Sequence, residues 1–80
     1  MSIIYEKTAS DSSLSYKAFS EGNTNNSFGI VVTDNKNQKE TILRDFTAKK
    51  EKALDFIEKL FRNTVSPDFV YDIAEDYILS

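Results

Sequence analysis

A change in hydrophobic period near Thr47 limits the folds open to this chain more than any other feature. Before this point apolar residues alternate with polar ones, as in the run from Leu14 to Ala18, and this is the pattern of a strand buried on one face. After it, apolar residues recur every three or four positions, as in an amphipathic helix: Ala53, Leu54, Phe56, Ile57, Leu60 and Phe61. Strands followed by helices are typical of an α+β domain.

The turn and cap residues predict where each element begins and ends. Thr47 is the expected N-cap of the first helix, and Asn63 is the expected left-handed residue that ends it. Ser66 then caps a second helix, with Pro67 at its first helical position. We predict one domain over residues 1–80, with strands within 1–46 (at 3–7, 14–18, 28–33 and 40–46) and helices over about 47–63 and 66–79.

The predicted fold class is α+β, with an antiparallel sheet of three to four strands followed by two C-terminal helices packed on one face. Short connections favour antiparallel pairing of successive strands. The second helix carries an apolar stripe of Phe69, Val70, Ile73, Ala74, Tyr77 and Ile78. The strand residues expected under the helices are Leu14, Tyr16, Ala18, Phe28, Ile30 and Val32.

Two helices cover one face of such a sheet and leave the other face open. Phe19, Val31 and either Ile42 or Leu43 are then expected to point outward. Exposed apolar residues on one surface are typical of interaction sites. We therefore predict a non-enzymatic interaction or regulatory module, with Phe19, Val31 and Leu43 as partner-binding residues and a protein partner or a second copy as the partner.

The composition argues against most catalytic sites. The chain has no His and no Cys, which removes the usual zinc ligands, the Cys–His nucleophile pairs and the commonest general base. No catalytic motif is present, so we expect neither an enzyme nor a cofactor. No apolar run approaches the ~20 residues that span a bilayer, and the first residues do not resemble a signal peptide. We expect a cytoplasmic protein without a membrane partner.

The acidic C-terminal segment offers an alternative function. Asp72, Glu75 and Asp76 lie on the polar side of the second predicted helix, and carboxylate oxygens are the ligands that Mg²⁺ and Ca²⁺ prefer. These residues are weak candidates for a divalent-metal or acid–base site, because one helix rarely surrounds a hard cation. A solvated helix face is the simpler interpretation.

The aromatic residues of the strands offer a second alternative. Tyr5, Tyr16, Phe19 and Phe28 are typical of platforms on which single-stranded nucleic acids stack. Such platforms lie among Lys and Arg, whereas this chain has a net charge of −3. Core packing is therefore the favoured interpretation, and no nucleic-acid partner is expected.

The carboxyl-terminal half resembles a known family. Val65-Ser66-Pro67 and Asp72-Ile73-Ala74-Glu75-Asp76-Tyr77 match the closing pattern V-[ST]-P followed by D-[IV]-x-E-D-[FYW]. This pattern is similar to that of short proteins from clostridia and related Firmicutes that carry a domain of unknown function. Arg44-Asp45-Phe46-Thr47 also resembles that family's passage from the last strand to the first helix. The resemblance implies strands followed by two helices, and it implies no activity, cofactor or catalytic residue.

Overall fold

A computed structural model of the chain describes residues 2–9, 13–20 and 27–79. Within these residues the chain forms four strands and then two helices, joined by a short 3₁₀ turn. The strands are β1 (Ser2–Thr8), β2 (Leu14–Ser20), β3 (Phe28–Asp34) and β4 (Lys39–Thr47). They are followed by α1 (Lys50–Arg62), the 3₁₀ turn (Pro67–Phe69) and α2 (Val70–Leu79).

The four strands form one antiparallel sheet in the order β1-β2-β3-β4. The predicted α+β fold, with an antiparallel sheet followed by two C-terminal helices, is therefore confirmed, and the sheet has four strands. β1 and β4 are its outer strands. Both contain an irregularity: the register of β1 shifts between Ile3 and Tyr5, and that of β4 shifts opposite the step from Phe28 to Ile30.

One hydrophobic core lies between the sheet and the helices. The strand residues expected there are in place, with Leu14, Tyr16, Ala18, Ile30 and Val32 buried and Phe28 packed against them. Helical residues close the core from the other side: Ala53, Phe56, Ile57, Leu60, Val70 and Ala74. Beside it, the ring of Phe46 lies 4.6 Å from that of Phe56 and 6.0 Å from that of Tyr77. The aromatic residues of this chain therefore serve mainly to fill the core.

Of the two residues predicted as alternatives for the outward position, Ile42 faces outward and Leu43 does not, so the choice of Leu43 as an outward-facing contact residue is wrong. Leu43 lies directly opposite Ile30, and residues opposite each other in an antiparallel pair share a face of the sheet. Leu43 is therefore part of the core, with 9% of its surface exposed. Ile42 pairs with Val31 instead, and it points outward with 37% of its surface exposed.

Phe19 and Val31 lie on the sheet face opposite the helices, yet both are buried. Their exposed fractions are 0% and 9%. The ring of Phe19 lies over Gly29 on the neighbouring strand, where a side chain would collide with it. Polar cross-strand pairs occupy the same face, including Lys17 with Glu6 at 4.0 Å. The exposed apolar residues of this face are therefore Ile3 and Ile42 of the outer strands, rather than Phe19 and Val31.

The helix ends also differ from the predictions. Thr47 is not the N-cap of α1, because it still pairs with Phe28 in the sheet, and Lys49 takes the cap position. Asn63 is not left-handed, since its φ is −96°, and the left-handed residue is Thr64 with φ 50°. The side chain of Asn63 instead donates a hydrogen bond of 2.9 Å to the Lys59 carbonyl oxygen.

The second helical segment begins as predicted, but Phe69 lies outside the core. Ser66 takes the N-cap position, although its side chain makes no cap hydrogen bond, and Pro67 follows it in the 3₁₀ turn. Phe69 is 59% exposed, so its place in the apolar stripe is a wrong prediction. A 3₁₀ turn has three residues per turn rather than 3.6, which moves Phe69 off the line of the stripe. The side chain of Ile78 lies outside the described residues.

Candidate functional site

A groove runs between the outer strand β4 and helix α2. We call it the β4–α2 groove; its volume is about 450 Å³, and its lining residues are Leu43, Arg44, Asp45, Phe46, Tyr71, Ala74 and Glu75. Ligand pockets have volumes of about 300–1,000 Å³ but enclose most of their ligand. This groove is comparable in volume and is open along the sheet edge. Its shape therefore suits a segment of polypeptide better than an enclosed small molecule.

Three contacts tie the start of the second helical segment to the first half of β4. Lys39 forms an ion pair with Asp68 at 3.3 Å, and the Thr41 hydroxyl donates a hydrogen bond of 2.9 Å to the Pro67 carbonyl oxygen. The Tyr71 hydroxyl donates to the Ile42 carbonyl oxygen at 3.4 Å. The groove lies beyond Ile42, and near the end of β4 the ring of Phe46 stacks on that of Tyr77 on α2.

The groove has an apolar floor and a charged rim. Leu43 and Ala74 are 9% and 5% exposed, and both belong to the core, while Tyr71 stands at the side with 60% of its surface exposed. Arg44 and Glu75 are exposed at the rim. Such an arrangement binds apolar side chains at the centre and orients charged ones at the edge.

The backbone of β4 supplies hydrogen-bonding groups beside the groove. In an antiparallel strand the N–H and C=O of one residue leave the strand on the same side, and successive residues alternate. The contact of the Ile42 carbonyl with Tyr71 indicates that the backbone groups of Ile42 face away from β3. Because successive residues alternate, the backbone groups of Glu40 and Arg44 also face away from β3. Outer strands with such groups are templates for pairing with another chain.

Asp45 marks the end of the regular part of β4. Its φ of 56° is in the left-handed region, which Asp adopts more readily than most side chains do. This backbone conformation accompanies the register shift opposite Phe28 and Ile30. The strand therefore pairs regularly with β3 from Lys39 to Leu43, and its irregular part begins at the groove.

A second depression lies on the other side of α2. Its volume is about 400 Å³, and it is lined by residues 63–66 together with Phe69 and Ile73. None of its described lining residues belongs to a strand. It offers apolar surface without the backbone hydrogen bonds that β4 supplies.

A cluster of ionisable groups that resembles an acid–base site joins β1 to α1. The Tyr5 hydroxyl donates a hydrogen bond to Glu58 Oε1, and the Lys7 ammonium lies 3.6 Å from the same oxygen. The bond from Tyr5, helped by the charge of Lys7, lowers the pKa of Glu58, and the same bond raises the pKa of Tyr5. A general base works best with a pKa near neutrality. The lowered pKa of Glu58 and the raised pKa of Tyr5 both lie further from neutrality than the usual values. The contacts of the cluster connect β1 to α1.

The comparison with known families bears on the whole chain. A family model described as a family of unknown function, DUF6514, matches residues 1–80. The chain belongs to the DUF6514 family. The resemblance to proteins that carry a domain of unknown function is thereby confirmed, while the clostridial origin and the closing pattern stay predictions. No curated protein and no solved structure matches the chain.

The acidic residues on α2 of this DUF6514 protein do not gather into a metal site with other described residues. Asp72, Glu75 and Asp76 are all exposed on α2. Within residues 2–9, 13–20 and 27–79, no group of three or more acidic, His or Cys side chains is placed to hold one metal ion. Glu75 contributes to the groove rim instead.

The strand aromatics do not form a platform for nucleic acid. Tyr16 and Phe19 are completely buried, and Tyr5 and Phe28 pack against the core. A stacking platform requires aromatic faces that a base can reach. The absence of a nucleic-acid partner stays a prediction.

Sequence reasoning missed the residues that line the groove. Of the predicted contact residues, only Leu43 lines it, as part of its floor, and Phe19 and Val31 lie on the other face of the sheet. One signal was available: in a meander of four strands the last strand is an outer strand, so β4 carries unpaired backbone groups. The position of Tyr71 at the border of the apolar stripe was a second signal.

Among the described residues, no helix has the length and apolar character needed to cross a membrane. The cytoplasmic location and the absence of catalysis stay predictions.

Proposed function

We propose that the protein is a non-enzymatic interaction module that binds a protein partner along β4. A single coincidence supports this proposal: the outer strand with accessible backbone groups borders the apolar β4–α2 groove. The contact surface is therefore the edge of the sheet rather than its open face. Phe19 and Val31 are buried on the open face and contribute to its packing.

The physical basis is the addition of a strand. An extended segment beside β4 gains main-chain hydrogen bonds from the residues whose N–H and C=O face outward, and alternate side chains of the segment enter a neighbouring pocket. Here that pocket is the β4–α2 groove, with Tyr71 and Ala74 on the helix side.

The test is selection of displayed random peptides on the immobilised protein, followed by mapping of the bound peptide through backbone NMR shifts. Peptides enriched on the wild-type protein are expected to shift the amides of Ile42, Arg44, Tyr71 and Glu75. Tyr71→Asp is expected to abolish their binding.

A matched variant controls for the general effect of a new charge on the second helical segment. Phe69→Asp changes an aromatic residue with almost the same exposure, 59% against 60% for Tyr71, outside the groove. It is expected to leave peptide binding unchanged. Enrichment of peptides that shift other amides, or equal binding by the Tyr71→Asp protein, overturns the proposal.

A further inference from the structure

We propose that the polypeptide bound along β4 is the β4 strand of a second copy of this chain, paired antiparallel about a two-fold axis at Ile42. This inference rests on the proposed function, because it assigns an occupant to the same strand edge. The observation that carries it is the charge pattern of β4. The exposed residues around Ile42 are self-complementary when the strand is read against itself.

The register follows from which residues face outward. Around an axis at Ile42, Glu40 of each copy lies opposite Arg44 of the other, so two pairs of opposite charge form. Each residue of these pairs is exposed in the single chain. Opposite charges placed directly across an antiparallel pair stabilise it, and like charges destabilise it.

Other registers lose this complementarity. An axis at Glu40 or at Arg44 places that charge directly against its own copy. An axis at Thr41 sets Glu40 opposite Ile42, and an axis at Leu43 sets Arg44 opposite Ile42. Among positions 40 to 44, only an axis at Ile42 makes both charge pairs, which selects one register and one symmetric dimer.

The backbone geometry at the axis agrees with this register. The N–H and C=O of Ile42 face away from β3, so the two copies exchange two hydrogen bonds there. The Ile42 carbonyl already accepts a bond of 3.4 Å from the Tyr71 hydroxyl. A carbonyl oxygen has two lone pairs, so it accepts the second bond without losing the first.

The dimer also covers apolar surface on both faces of the sheet. The side chain of Ile42, which is 37% exposed beside Val31, packs against its own copy on the face opposite the helices. On the helix side, antiparallel pairing sets Thr41 of the second copy opposite Leu43 and Lys39 of the second copy opposite Asp45. In the second copy, Lys39 and Thr41 contact the 3₁₀ turn of their own chain. That turn then lies over the β4–α2 groove of the first copy.

The test is sedimentation velocity over a concentration series from about 1 μM to about 1 mM, a range that spans tight and weak association. The wild-type protein is expected to pass from monomer to dimer. Glu40→Arg and Arg44→Glu each place like charges at two positions, and each is expected to weaken the dimer about tenfold or more. The matched charge reversals Glu51→Arg and Lys50→Glu, on the exposed first turn of α1, are expected to leave association unchanged.

The decisive variants restore the complementarity. The double variant Glu40→Arg with Arg44→Glu again sets opposite charges across the axis and is expected to recover the wild-type dimer. An equal mixture of the two single variants is expected to form a heterodimer, since every charge of one then faces its opposite on the other. If circular dichroism shows that a single variant is unfolded, Ile42→Asp, which sets two carboxylates against each other at the axis, replaces it.

The proposal is overturned by a wild-type protein that stays monomeric at the highest concentration, or by single reversals without effect, or by a double variant that does not recover. A monomer that still binds displayed peptides at Ile42 and Tyr71 overturns the dimer alone and leaves the interaction module standing. A dimer whose stability is unchanged by these substitutions, together with no peptide binding at β4, overturns both the proposed dimer and the proposed interaction module.

Discussion

The Tyr16 hydroxyl on β2 donates a hydrogen bond of 2.8 Å to the backbone carbonyl oxygen of Val65, in the link between α1 and the 3₁₀ turn. Tyr16 is completely buried, and its ring meets that of Phe61 edge-on at 6.3 Å. A buried carbonyl without a partner loses its hydration at a cost of about 1–3 kcal/mol. This bond therefore fixes the position of the link between the helices relative to the sheet.

Removal of this hydroxyl is expected to destabilise the fold. Tyr16→Phe keeps the ring and leaves the Val65 carbonyl without its donor, so we expect the free energy of unfolding to fall by about 1–2 kcal/mol. Urea denaturation followed by circular dichroism measures the change. Tyr71→Phe is the matched control, because it removes an exposed hydroxyl with a 3.4 Å contact, and it is expected to change stability by less than about 0.5 kcal/mol. Equal losses in the two variants would contradict this role of Tyr16.

Tyr16 also predicts a loss of stability at high pH. Burial, with a smaller effect from the charge of Asp34, raises the pKa of Tyr16 from 10.0 to about 12. Because the folded-state pKa is above the unfolded one, the contribution to stability is complete below about pH 10 and is lost as the pH rises through about 12. The free energy of unfolding of the wild-type protein is expected to fall between these values, and that of Tyr16→Phe to fall less steeply. Parallel curves for the two proteins would exclude Tyr16 as the cause.

A side chain at Gly29 is expected to disrupt the sheet. A Cβ atom there would lie 2.7 Å from the Leu43 carbonyl oxygen and would overlap the ring of Phe19. We expect Gly29→Ala to lower the free energy of unfolding by about 1–3 kcal/mol, as overpacking does, although Ala is usually the better residue in a strand. Thermal unfolding measures the effect. Ser15→Ala, on the same face of the sheet, serves as the control and should change stability by no more than about 0.5 kcal/mol.

The left-handed backbone conformation of Thr64 predicts that a substitution there stabilises the fold. Thr64 adopts a φ of 50°, and a β-branched residue is strained in the left-handed region. Thr64→Gly is expected to raise the free energy of unfolding by about 0.5–1 kcal/mol, because the relief of strain exceeds the entropy that Gly loses on folding. Asn63→Gly should do the reverse, since Asn63 has an ordinary φ and loses its side-chain bond to the Lys59 carbonyl. A loss of stability in Thr64→Gly would show that the backbone at this position is not strained.

Two phenylalanines of the helical half are expected to respond very differently to truncation. Phe56 is completely buried between the helices and the sheet, and Phe56→Ala should cost about 3–5 kcal/mol. Phe69 is 59% exposed, and Phe69→Ala should change stability by less than about 0.5 kcal/mol. Chemical denaturation of both variants compares the two costs directly. A large loss for Phe69→Ala would place its ring in the core.

The sequence was sufficient to predict the layers of this fold. The alternation of Leu14, Tyr16 and Ala18 reports directly which side of a strand is buried, and the recurrence of Phe56, Ile57 and Leu60 does the same for a helix. Both patterns depend on local spacing only. The element order and the covered face of the sheet could therefore be derived without coordinates.

The predictions that failed concern residues whose positions depend on distant parts of the chain. Ile42 and Leu43 are adjacent apolar residues, and only the pairing of β3 with β4 decides which of them faces the core. Thr47 is a good cap residue by type, but its pairing with Phe28 keeps it in the sheet. The β4–α2 groove depends on the distance between a strand and a helix some thirty residues apart, which no local pattern contains.

The irregular first strand limits how far edge-to-edge pairing proceeds. When two copies meet through β4, only their β1 strands remain at the ends of the joined sheet. There the register shifts between Ile3 and Tyr5, and the next residues along the strand are the charged Glu6 and Lys7, with Lys7 drawn towards α1 by Glu58. Such an interrupted, charged boundary is a poor template for further strands. We therefore expect the proposed assembly to stop at two chains, and concentrated solutions should stay clear instead of growing fibrils.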